Sequence, residues 1–320
     1  MLALLFLGLL FLQGIRATKT PCVTQIFEFQ DDTFIENIHV RANGKLLLTT
    51  LSTGSLLTLD PNAATPSPVS VANLTGSTGL TGMATIGSNT YAVSGGVHSL
   101  FAFANNSMSV YVVSIPANSN TGTVLDQIPV LNTEMLNGMA ALPANPHIVL
   151  SVDSIGGRIF RINTISKNVD IAFSDPSLGP GNNALVPLGA NGLKIRNGYL
   201  YWANSGQGTF ARVKINSDGS KAGNVQVIAT LSGTISVTNA YDDFAFDNDG
   251  NAYVALHSYS VVKITPSGKQ TTYVGGGNST FFKEPTSAAL SNDGSFIYVS
   301  TGGTVLDGVT YGGQVIQVSV

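Results

Sequence analysis

Six polar residues recur at the same place in a short repeated pattern, roughly 50 residues apart. Each precedes an apolar stretch, a turn and a second apolar stretch, and the set is Glu36, Thr81, Asn137, Asn191, Asp242 and Thr286. Carboxylate and carboxamide oxygens are the ligands that Ca²⁺ and Mg²⁺ prefer. Glu36, Asn137, Asn191 and Asp242 are therefore candidates for a shared divalent-cation site. The alternative is that each residue only caps a strand end, as Asn and Asp do in turns.

A second group of polar and aromatic residues lies one apolar stretch later in the same repeats. Consecutive antiparallel strands return the chain to the same end, so both groups should meet around one opening. The candidate substrate contacts are Asp153, Tyr201, Trp202 and Asn204 of this group, together with Tyr241 and Thr286 from the first stretches, and His257 also lines the pocket. Trp202 could instead pack between neighbouring sheets, because strand alternation lets only one of Tyr201 and Trp202 face inward.

The elements that must position these residues are short strands. Four apolar strands follow one another in each repeat, separated by turns in a chain that holds 35 Gly and 13 Pro. The sixth repeat ends at Val320 without a fourth strand, which residues 23–29 can supply. The pattern predicts an all-β fold over residues 18–320, a six-bladed β-propeller of four antiparallel strands per blade, closed by the N-terminal strand. A pair of β-sandwiches would not explain six copies with one displaced strand.

The composition excludes several classes of function. Of the 320 residues, 43% are hydrophobic and only 10% are charged, and the net charge is −3. No basic stretch suits a nucleic acid partner. The single cysteine, Cys22, excludes a disulfide framework and a cysteine-based zinc site.

The N-terminal residues 1–17 have the character of a secretory signal peptide. Residues 1–12 are almost wholly apolar, and the run is shorter than the roughly 20 residues that a bilayer span needs. Asn73, Asn105 and Asn278 each begin a glycosylation sequon. We therefore expect a secreted glycoprotein that has no membrane partner after signal cleavage.

Several shorter motifs do not support a site. The glycines at 275–277 follow a strand without a helix behind them, and the sequence contains no Gly-x-Ser-x-Gly elbow. The acidic turn that begins at Asp247 lacks the Glu that completes a calcium loop, so a hairpin turn explains it. His39, His98 and His147 lie elsewhere in the repeat and are interpreted as surface or packing residues.

With these residues in view, the chain resembles the SMP-30/gluconolactonase family of six-bladed propellers. The likeness implies a divalent cation held by Glu36, Asn137, Asn191 and Asp242, with Asp242 also acting as the general base. The motifs are short: Glu36-Asn-Ile stands where the family has Glu-Gly-Pro, and Asn191-Gly matches its Asn-Gly. The family's substrate arginine corresponds to Met135, which argues against a sugar-lactone substrate.

The segments that begin at Glu36 and Asp242 also resemble a fungal, secreted branch of these propellers. Members of that branch include hetero-Diels-Alderases, which join a tropolone-derived o-quinone methide to a humulene-type sesquiterpene in secondary-metabolite biosynthesis. That likeness implies an apolar pocket that needs no cofactor.

Three hypotheses about function follow. The first is the hetero-Diels-Alderase, which acts by orienting two neutral partners and by hydrogen bonds to a carbonyl oxygen, with Asp242 and His257 as its catalytic candidates. The second is a metal-dependent lactonase or esterase that uses Asp242 as base and Ca²⁺ or another divalent cation as cofactor. The third is a secreted propeller that binds a small molecule without chemistry. All three expect a small-molecule partner, and the first expects it to be largely apolar.

Overall fold

A computed structural model, which describes residues 20–257, 259–277 and 279–320, shows an all-β chain folded as six sheets of four antiparallel strands. The predicted six-bladed propeller is confirmed. Blade one contains β2 (Ile35–Val40), β3 (Leu46–Thr50), β4 (Ser55–Leu59) and β5 (Val69–Asn73). Blade two contains β6 (Gly79–Gly87), β7 (Thr90–Gly96), β10 (Ser109–Ser114) and β11 (Thr123–Pro129), with a small hairpin of β8 (His98–Ser99) and β9 (Ala102–Phe103).

The next three blades follow the same order. Blade three contains β12 (Leu136–Leu142), β13 (Asn145–Asp153), β14 (Arg158–Asn163) and β15 (Val169–Ser174), followed by a 3₁₀ turn at Pro176–Leu178. Blade four contains β16 (Ala190–Arg196), β17 (Tyr199–Asn204), β18 (Thr209–Lys214) and β19 (Gln226–Thr230). Blade five contains β20 (Tyr241–Phe246), β21 (Ala252–Leu256), β22 (Ser260–Ile264) and β23 (Gln270–Gly275).

Blade six is assembled from both ends of the described chain. Its strands are β24 (Pro285–Leu290), β25 (Phe296–Thr301), β28 (Gln314–Ser319) and β1 (Val23–Glu28), and a hairpin of β26 (Thr304–Leu306) and β27 (Val309–Tyr311) lies between β25 and β28. The pairing of β1 with β28 is antiparallel and runs from Val23 opposite Val318 to Glu28 opposite Gln314. The N-terminal strand therefore closes the ring as predicted, and it covers an edge of β28 that would otherwise be unpaired.

The core lies between the blades, because alternate residues of each strand face the two neighbouring blades. Strand β17 shows this directly. Trp202 packs with Leu150 and Val152 of blade three, whereas the adjacent Tyr201 packs with Phe244 of blade five. Both faces of a blade are buried in this way, which explains why the strands contain so few charged residues.

Hydroxyl groups also join the blades near the start of the inner strands. Thr286 Oγ1 donates to Ile35 O at 2.7 Å, and Thr81 Oγ1 donates to Leu136 O at 2.6 Å. Ser154 Oγ donates to Ala190 O at 2.5 Å, and Ser205 Oγ donates to Tyr241 O at 2.7 Å. Each accepting carbonyl belongs to the residue immediately before Glu36, Asn137, Asn191 or Asp242. The contacts between blades therefore fix the backbone at all four candidate cation ligands.

The predictions of glycosylation sites and of a signal peptide are not tested by the propeller fold. Asn73 and Asn105 are exposed, whereas Asn278 and the proposed signal peptide at residues 1–17 lie outside the described residues. No helix within the described ranges is long and apolar enough to cross a bilayer.

Candidate functional site

A cavity of about 330 Å³ opens at one end of the central channel. It lies on the face where the inner strands begin, which we call the mouth face. This face is formed by the loops between the second and third strands of each blade and by the loops that lead into the next blade. Glu36, Asn191, Asp242 and His257 are among its lining residues. The repeat position that suggested a shared polar site therefore does bring these residues to one opening.

The floor of the cavity holds buried oxygen atoms that lack hydrogen-bond partners. Among the described lining residues, Asn191 Oδ1 and Asp242 Oδ1 are buried without a partner, and Glu36 is 5% exposed. Asn137 holds the equivalent position in blade three without lining the cavity, and neither its amide oxygen nor its amide nitrogen has a partner. The amide of Asn191 is oriented by its Nδ2, which donates to Ser205 Oγ at 3.3 Å and leaves the oxygen free. Buried polar atoms are nearly always paired, so these oxygens indicate a group that the protein alone does not supply.

Buried Asp242 and partly buried His257 form a hydrogen-bonded pair beside this floor. His257 Nε2 lies 2.8 Å from Asp242 Oδ2, and Nδ1 donates to the Val237 carbonyl oxygen at 3.1 Å. Burial lowers the pKa of His257, but the hydrogen bond and negative charge of Asp242 outweigh it and raise this pKa to about 9. His257 is therefore protonated at neutral pH and donates from both ring nitrogens, which leaves Asp242 Oδ1 as the unpaired atom.

The carboxylates around the floor are held in an unfavourable environment. Burial, followed by the negative charge of Asp242, raises the pKa of Glu36 well above its usual range. Burial also raises the pKa of Asp242, although the hydrogen bond from His257 opposes this effect. A buried carboxylate is stable only when it is paired or coordinated. A divalent cation between Glu36 and Asp242 would neutralise both.

These residues fit a hard cation by the chemistry of their donors. Two negatively charged carboxylates and two neutral amide oxygens form a set of oxygen ligands of the kind that binds Ca²⁺. No three His, Cys, Asp or Glu side chains in the described ranges are arranged to hold a metal by themselves. A cation here would therefore depend on the amide oxygens of Asn137 and Asn191.

The walls of the cavity are mainly apolar. Carbon-rich side chains surround the polar floor, and they are Phe34, Leu51, Leu100, Phe101, Met135, Val186, Leu188 and Val237. No Lys or Arg is found among the lining residues. Met135, which stands where the resemblance places a substrate arginine, forms part of this apolar wall. The cavity is therefore suited to an apolar molecule with one polar group that reaches the floor.

Two ionisable lining residues were not predicted from the sequence. His98, interpreted as a surface or packing residue, lines the cavity from the β8–β9 hairpin, which is an insertion that the repeat does not contain. Glu284 also lines it, with Oε1 3.9 Å from His257 Nδ1. A signal for Glu284 was available, because it precedes Thr286 by the same two residues that separate Met135 from Asn137 and Phe34 from Glu36.

The predicted aromatic contacts lie away from the cavity. Trp202, Tyr201 and Tyr241 are buried between blades, and none of them is among the lining residues. Trp202 Nε1 donates to Ser177 O at 3.3 Å, Tyr201 accepts a hydrogen bond from Arg212 at 3.0 Å, and Tyr241 bonds to Gln270. The prediction that these three aromatic side chains contact substrate at the opening was wrong, because they project toward the neighbouring blades and not toward the channel.

Three further predicted contacts hold loops and blades together. Asp153 accepts two hydrogen bonds from Arg158 at 3.1 Å, and Asn204 Nδ2 donates to Ser177 O and Gly179 O at 2.9 Å. Thr286 bonds to Ile35 O and to Ser300. None of the three lines the cavity. These side chains already have partners within the protein, so the structure places them as supports around the site.

Comparisons with known proteins agree with the fold. No protein-family model matches the chain, and no curated protein matches it significantly. Among solved structures, a luciferin-regenerating enzyme aligns over 94% of this chain and 95% of its own, with a TM-score of 0.65 and 16% identity. A gluconolactonase from Xanthomonas campestris aligns over 93% and 89%, with a TM-score of 0.63 and 10% identity. Regucalcin from Agrobacterium tumefaciens, described as a calcium-binding protein, aligns over 92% and 95%, with a TM-score of 0.59 and 13% identity.

This chain shares their fold. The three structures named here include SMP-30/gluconolactonase-like propellers, and others with the same fold include a chain of a nidogen/laminin complex and a PQQ-bound aldose sugar dehydrogenase. At this level of identity the likeness establishes the architecture, and the chemistry has to be argued from the cavity.

Proposed function

We propose that this protein is a divalent-cation-dependent hydrolase that opens an apolar ester or lactone. The observation that carries the proposal is the pair of unpartnered buried oxygens of Asn191 and Asp242 at the floor of an apolar cavity, with the buried amide of Asn137 also unpartnered at the equivalent position of blade three. The names of two proteins with the same fold, a gluconolactonase and a calcium-binding protein, give it further support.

Glu36, Asn137, Asn191 and Asp242 would hold the cation. When bound, it would supply a Lewis acid for the carbonyl oxygen of the substrate. The neighbouring blades fix the backbone just before each of these residues, so the donor set is rigid before any ligand arrives. Rigid, preorganised donors cost little reorganisation during a reaction.

Asp242 is the group of this chain best placed to move a proton. Its Oδ2 is held by His257, and its Oδ1 has no partner in the protein. The Asp242 carboxylate takes a proton from the attacking water while a bond forms between the water oxygen and the carbonyl carbon. As the carbon–oxygen bond to the leaving group breaks, that proton passes to the departing alkoxide. The products are a carboxylic acid and an alcohol, and Asp242 returns to its starting state.

The cavity walls select the substrate class. Phe34, Met135 and Leu188 contribute apolar surface, and the described lining residues include no Lys or Arg that could bind the hydroxyl groups or carboxylate of a sugar acid. Burial of apolar surface favours binding by about 25 cal/mol per Å². We therefore infer an alkyl or terpenoid ester or lactone in preference to a sugar lactone.

A hetero-Diels-Alderase is the second candidate, as the resemblance to the fungal branch implies. The observation that favours it is the same apolar wall, which could hold two neutral partners in register without a cofactor. Both ring nitrogens of His257 are already bonded to Asp242 and to the Val237 carbonyl oxygen, so one of these bonds would have to break for His257 to donate to the heterodiene oxygen. This mechanism gives no role to the unpartnered oxygens of Asn137 and Asn191, and for that reason we place it second.

The two reactions can be separated with one variant and one chelator. The hydrolase predicts that Asp242→Asn and chelation each lower the hydrolysis of long-chain p-nitrophenyl esters and alkyl γ-lactones by about 10²-fold or more. Glu284→Gln is the matched control, since Glu284 lines the same cavity without belonging to the donor set. The same protein is offered a tropolone quinone-methide precursor with humulene, and the product is scored for stereochemically pure adduct.

Each result points to one function. Hydrolysis that needs both Asp242 and the metal supports the hydrolase. Enhanced adduct formation that survives chelation and Asp242→Asn would overturn it in favour of the pericyclase. If neither reaction exceeds its spontaneous rate while an apolar ligand still binds, the protein is a binding propeller.

A further inference from the structure

Exposed apolar side chains are concentrated on the mouth face. Six of them, each between 40% and 86% exposed, stand on the loops around the opening: Leu100, Phe101, Leu185, Val237, Phe281 and Val305. We call this set the apolar rim. Its members belong to loops of several blades, so they surround the cavity and do not form one strip. Exposed apolar surface of this extent on a soluble protein usually marks an interaction site.

The opposite face of the propeller differs sharply. Its loops include segments that consist only of Asn, Asp, Gly and Ser, as in residues 247–251 and 291–295. Outside the strands on that face, the described large apolar side chains exposed to a comparable degree are Ile165 and Val320. The asymmetry cannot be a general property of the surface, because both sets of loops belong to the same blades.

The charges on the mouth face narrow the choice of partner. Its loops contain a single lysine and no arginine, and that lysine, Lys283, is paired with Glu28 at 2.9 Å. Four acidic side chains on these loops are exposed, namely Asp31, Asp32, Glu134 and Asp307. An anionic surface would be repelled by these acids, since attraction to acidic lipids needs basic residues.

The apolar rim is continuous with the cavity. Leu100, Phe101 and Val237 are exposed to solvent and also line the cavity wall. An apolar molecule could therefore pass from an apolar phase into the cavity without crossing a polar barrier. A fluid surface also suits side chains on separate loops better than a rigid partner would, because it does not require one complementary shape.

We propose that the mouth face docks on a neutral, zwitterionic lipid surface, into which the apolar rim inserts. Insertion of aliphatic and aromatic side chains at the boundary between headgroups and acyl chains is the usual mode of interfacial binding. The proposal concerns a surface and is independent of the proposed hydrolysis, because docking is measured without a substrate.

The test is co-flotation of residues 18–320 with vesicles of phosphatidylcholine. The variant Leu185→Ser with Val305→Ser removes two rim side chains that do not line the cavity. The matched control is Ile165→Ser with Leu125→Ser, which removes two equally exposed side chains from the opposite face and an outer strand. We expect the rim variant to bind at least about tenfold more weakly than the wild type, because two apolar side chains lose their insertion, and the control to bind as the wild type does.

Lipid charge and self-association complete the test. Replacing part of the phosphatidylcholine by phosphatidylglycerol should weaken binding or leave it unchanged. Absence of wild-type flotation, or equal loss in the rim and control variants, would overturn the proposal. So would a wild-type dimer in light scattering that the rim variant converts to monomer, since the apolar rim would then be an interface between copies of the chain.

Discussion

At the scale of single residues, the site depends on which atoms have partners. Asp242 and Asp243 are adjacent and both buried, yet their environments differ. Asp243 is saturated, because Lys194 binds its Oδ1 at 2.5 Å and Asn37 donates to its Oδ2 at 3.0 Å. Asp242 has one oxygen held by His257 and one left free. This difference in pairing, and not residue type, separates a candidate functional aspartate from a structural one.

The cation site predicts a change in thermal stability. Ca²⁺ should raise the melting temperature of the wild-type protein, because a ligand that binds only the folded state stabilises it by mass action. Chelation should lower it. Glu36→Gln should reduce the Ca²⁺-induced rise, since it removes one of the two formal charges in the donor set. Differential scanning fluorimetry across a Ca²⁺ titration measures the effect.

Glu284→Gln serves as the control for this measurement, because Glu284 lines the same cavity outside the donor set. It should retain the full Ca²⁺-induced rise. If the melting temperature of the wild type is the same with Ca²⁺ and with chelator, the unpartnered oxygens bind substrate or water instead of a cation.

The environment of His39 predicts how the free energy of unfolding depends on pH. Its Nε2 lies 2.8 Å from Thr85 Oγ1, its ring packs against Tyr91, and Lys194 is the charged group near it. Burial, followed by the positive charge of Lys194, lowers the pKa of His39 to about 4, below its usual 6.5. Folding therefore favours the neutral form of His39. The resulting contribution to the free energy of unfolding is present above pH 6.5 and is lost as the pH falls toward 4.

His39→Gln should weaken that acid sensitivity, because glutamine can still bond to Thr85 but does not titrate. The measurement is the free energy of unfolding in urea at a series of pH values between 6.5 and 4. His147→Gln is the control, since His147 is exposed on the surface. Equal acid sensitivity in the His39 variant and the wild type would contradict the assignment.

At the scale of elements, β17 illustrates how a propeller strand divides its residues. Trp202 belongs to the core between blades three and four, and Tyr201 to the core between blades four and five. Neither side chain points toward the channel. The inward-facing groups come from the inner strands and the loops of the mouth face, so substitutions in β17 and in the loops should have separable effects.

Trp202→Phe should lower the free energy of unfolding by about 1–3 kcal/mol, because a smaller ring leaves a space in a close-packed core. It should leave KM for an ester substrate unchanged. Leu100→Ala should raise KM and leave the free energy of unfolding unchanged, since Leu100 lines the cavity and is otherwise exposed. Urea denaturation and steady-state kinetics test both variants, and a raised KM without destabilisation in Trp202→Phe would return this residue to the binding site.

At the scale of the whole molecule, the ring depends on one strand from the far end of the chain. The strand β1 pairs along β28 and satisfies the edge of blade six. Further contacts support this closure, since Lys283 pairs with Glu28 and Gln314 Nε2 donates to Gln25 at 2.6 Å. The two ends of the chain therefore share one cooperative unit.

Deleting residues 18–29 should expose the edge of β28 and cause aggregation, because an unpaired strand edge is a template for pairing with other chains. Size-exclusion chromatography and light scattering would detect the aggregates. Removal of residues 1–17 alone should leave a soluble monodisperse protein. A truncation lacking β1 that stays soluble and equally stable would show that closure is not required.

The expectation of no membrane partner also belongs to this scale. It rested on the length of the N-terminal apolar run, which is shorter than the continuous run that marks a membrane span. The apolar rim has no such signature, because Leu100, Leu185 and Val305 lie in short segments far apart in sequence and only the ring places them on one face. A pattern that is discontinuous along the chain is invisible to a search for spans.

The sequence by itself determined the architecture and part of the site. Repeats of about 50 residues with strand periodicity can bury their apolar faces only by stacking around an axis. The displaced strand at residues 23–29 specified how the ring closes. The repeat register also placed Glu36, Asn191 and Asp242 at one opening, because equivalent positions in a propeller are equivalent in space.

Only the tertiary structure decided which polar groups remain available. Trp202, Asp153 and Thr286 share the repeat positions of site residues, but neighbouring blades satisfy or bury their side chains. Whether a side chain has a partner depends on residues that are distant in sequence, and one strand's periodicity does not contain that information. His98 and the apolar rim were missed for a related reason, since both lie on loops whose placement follows from the closed ring.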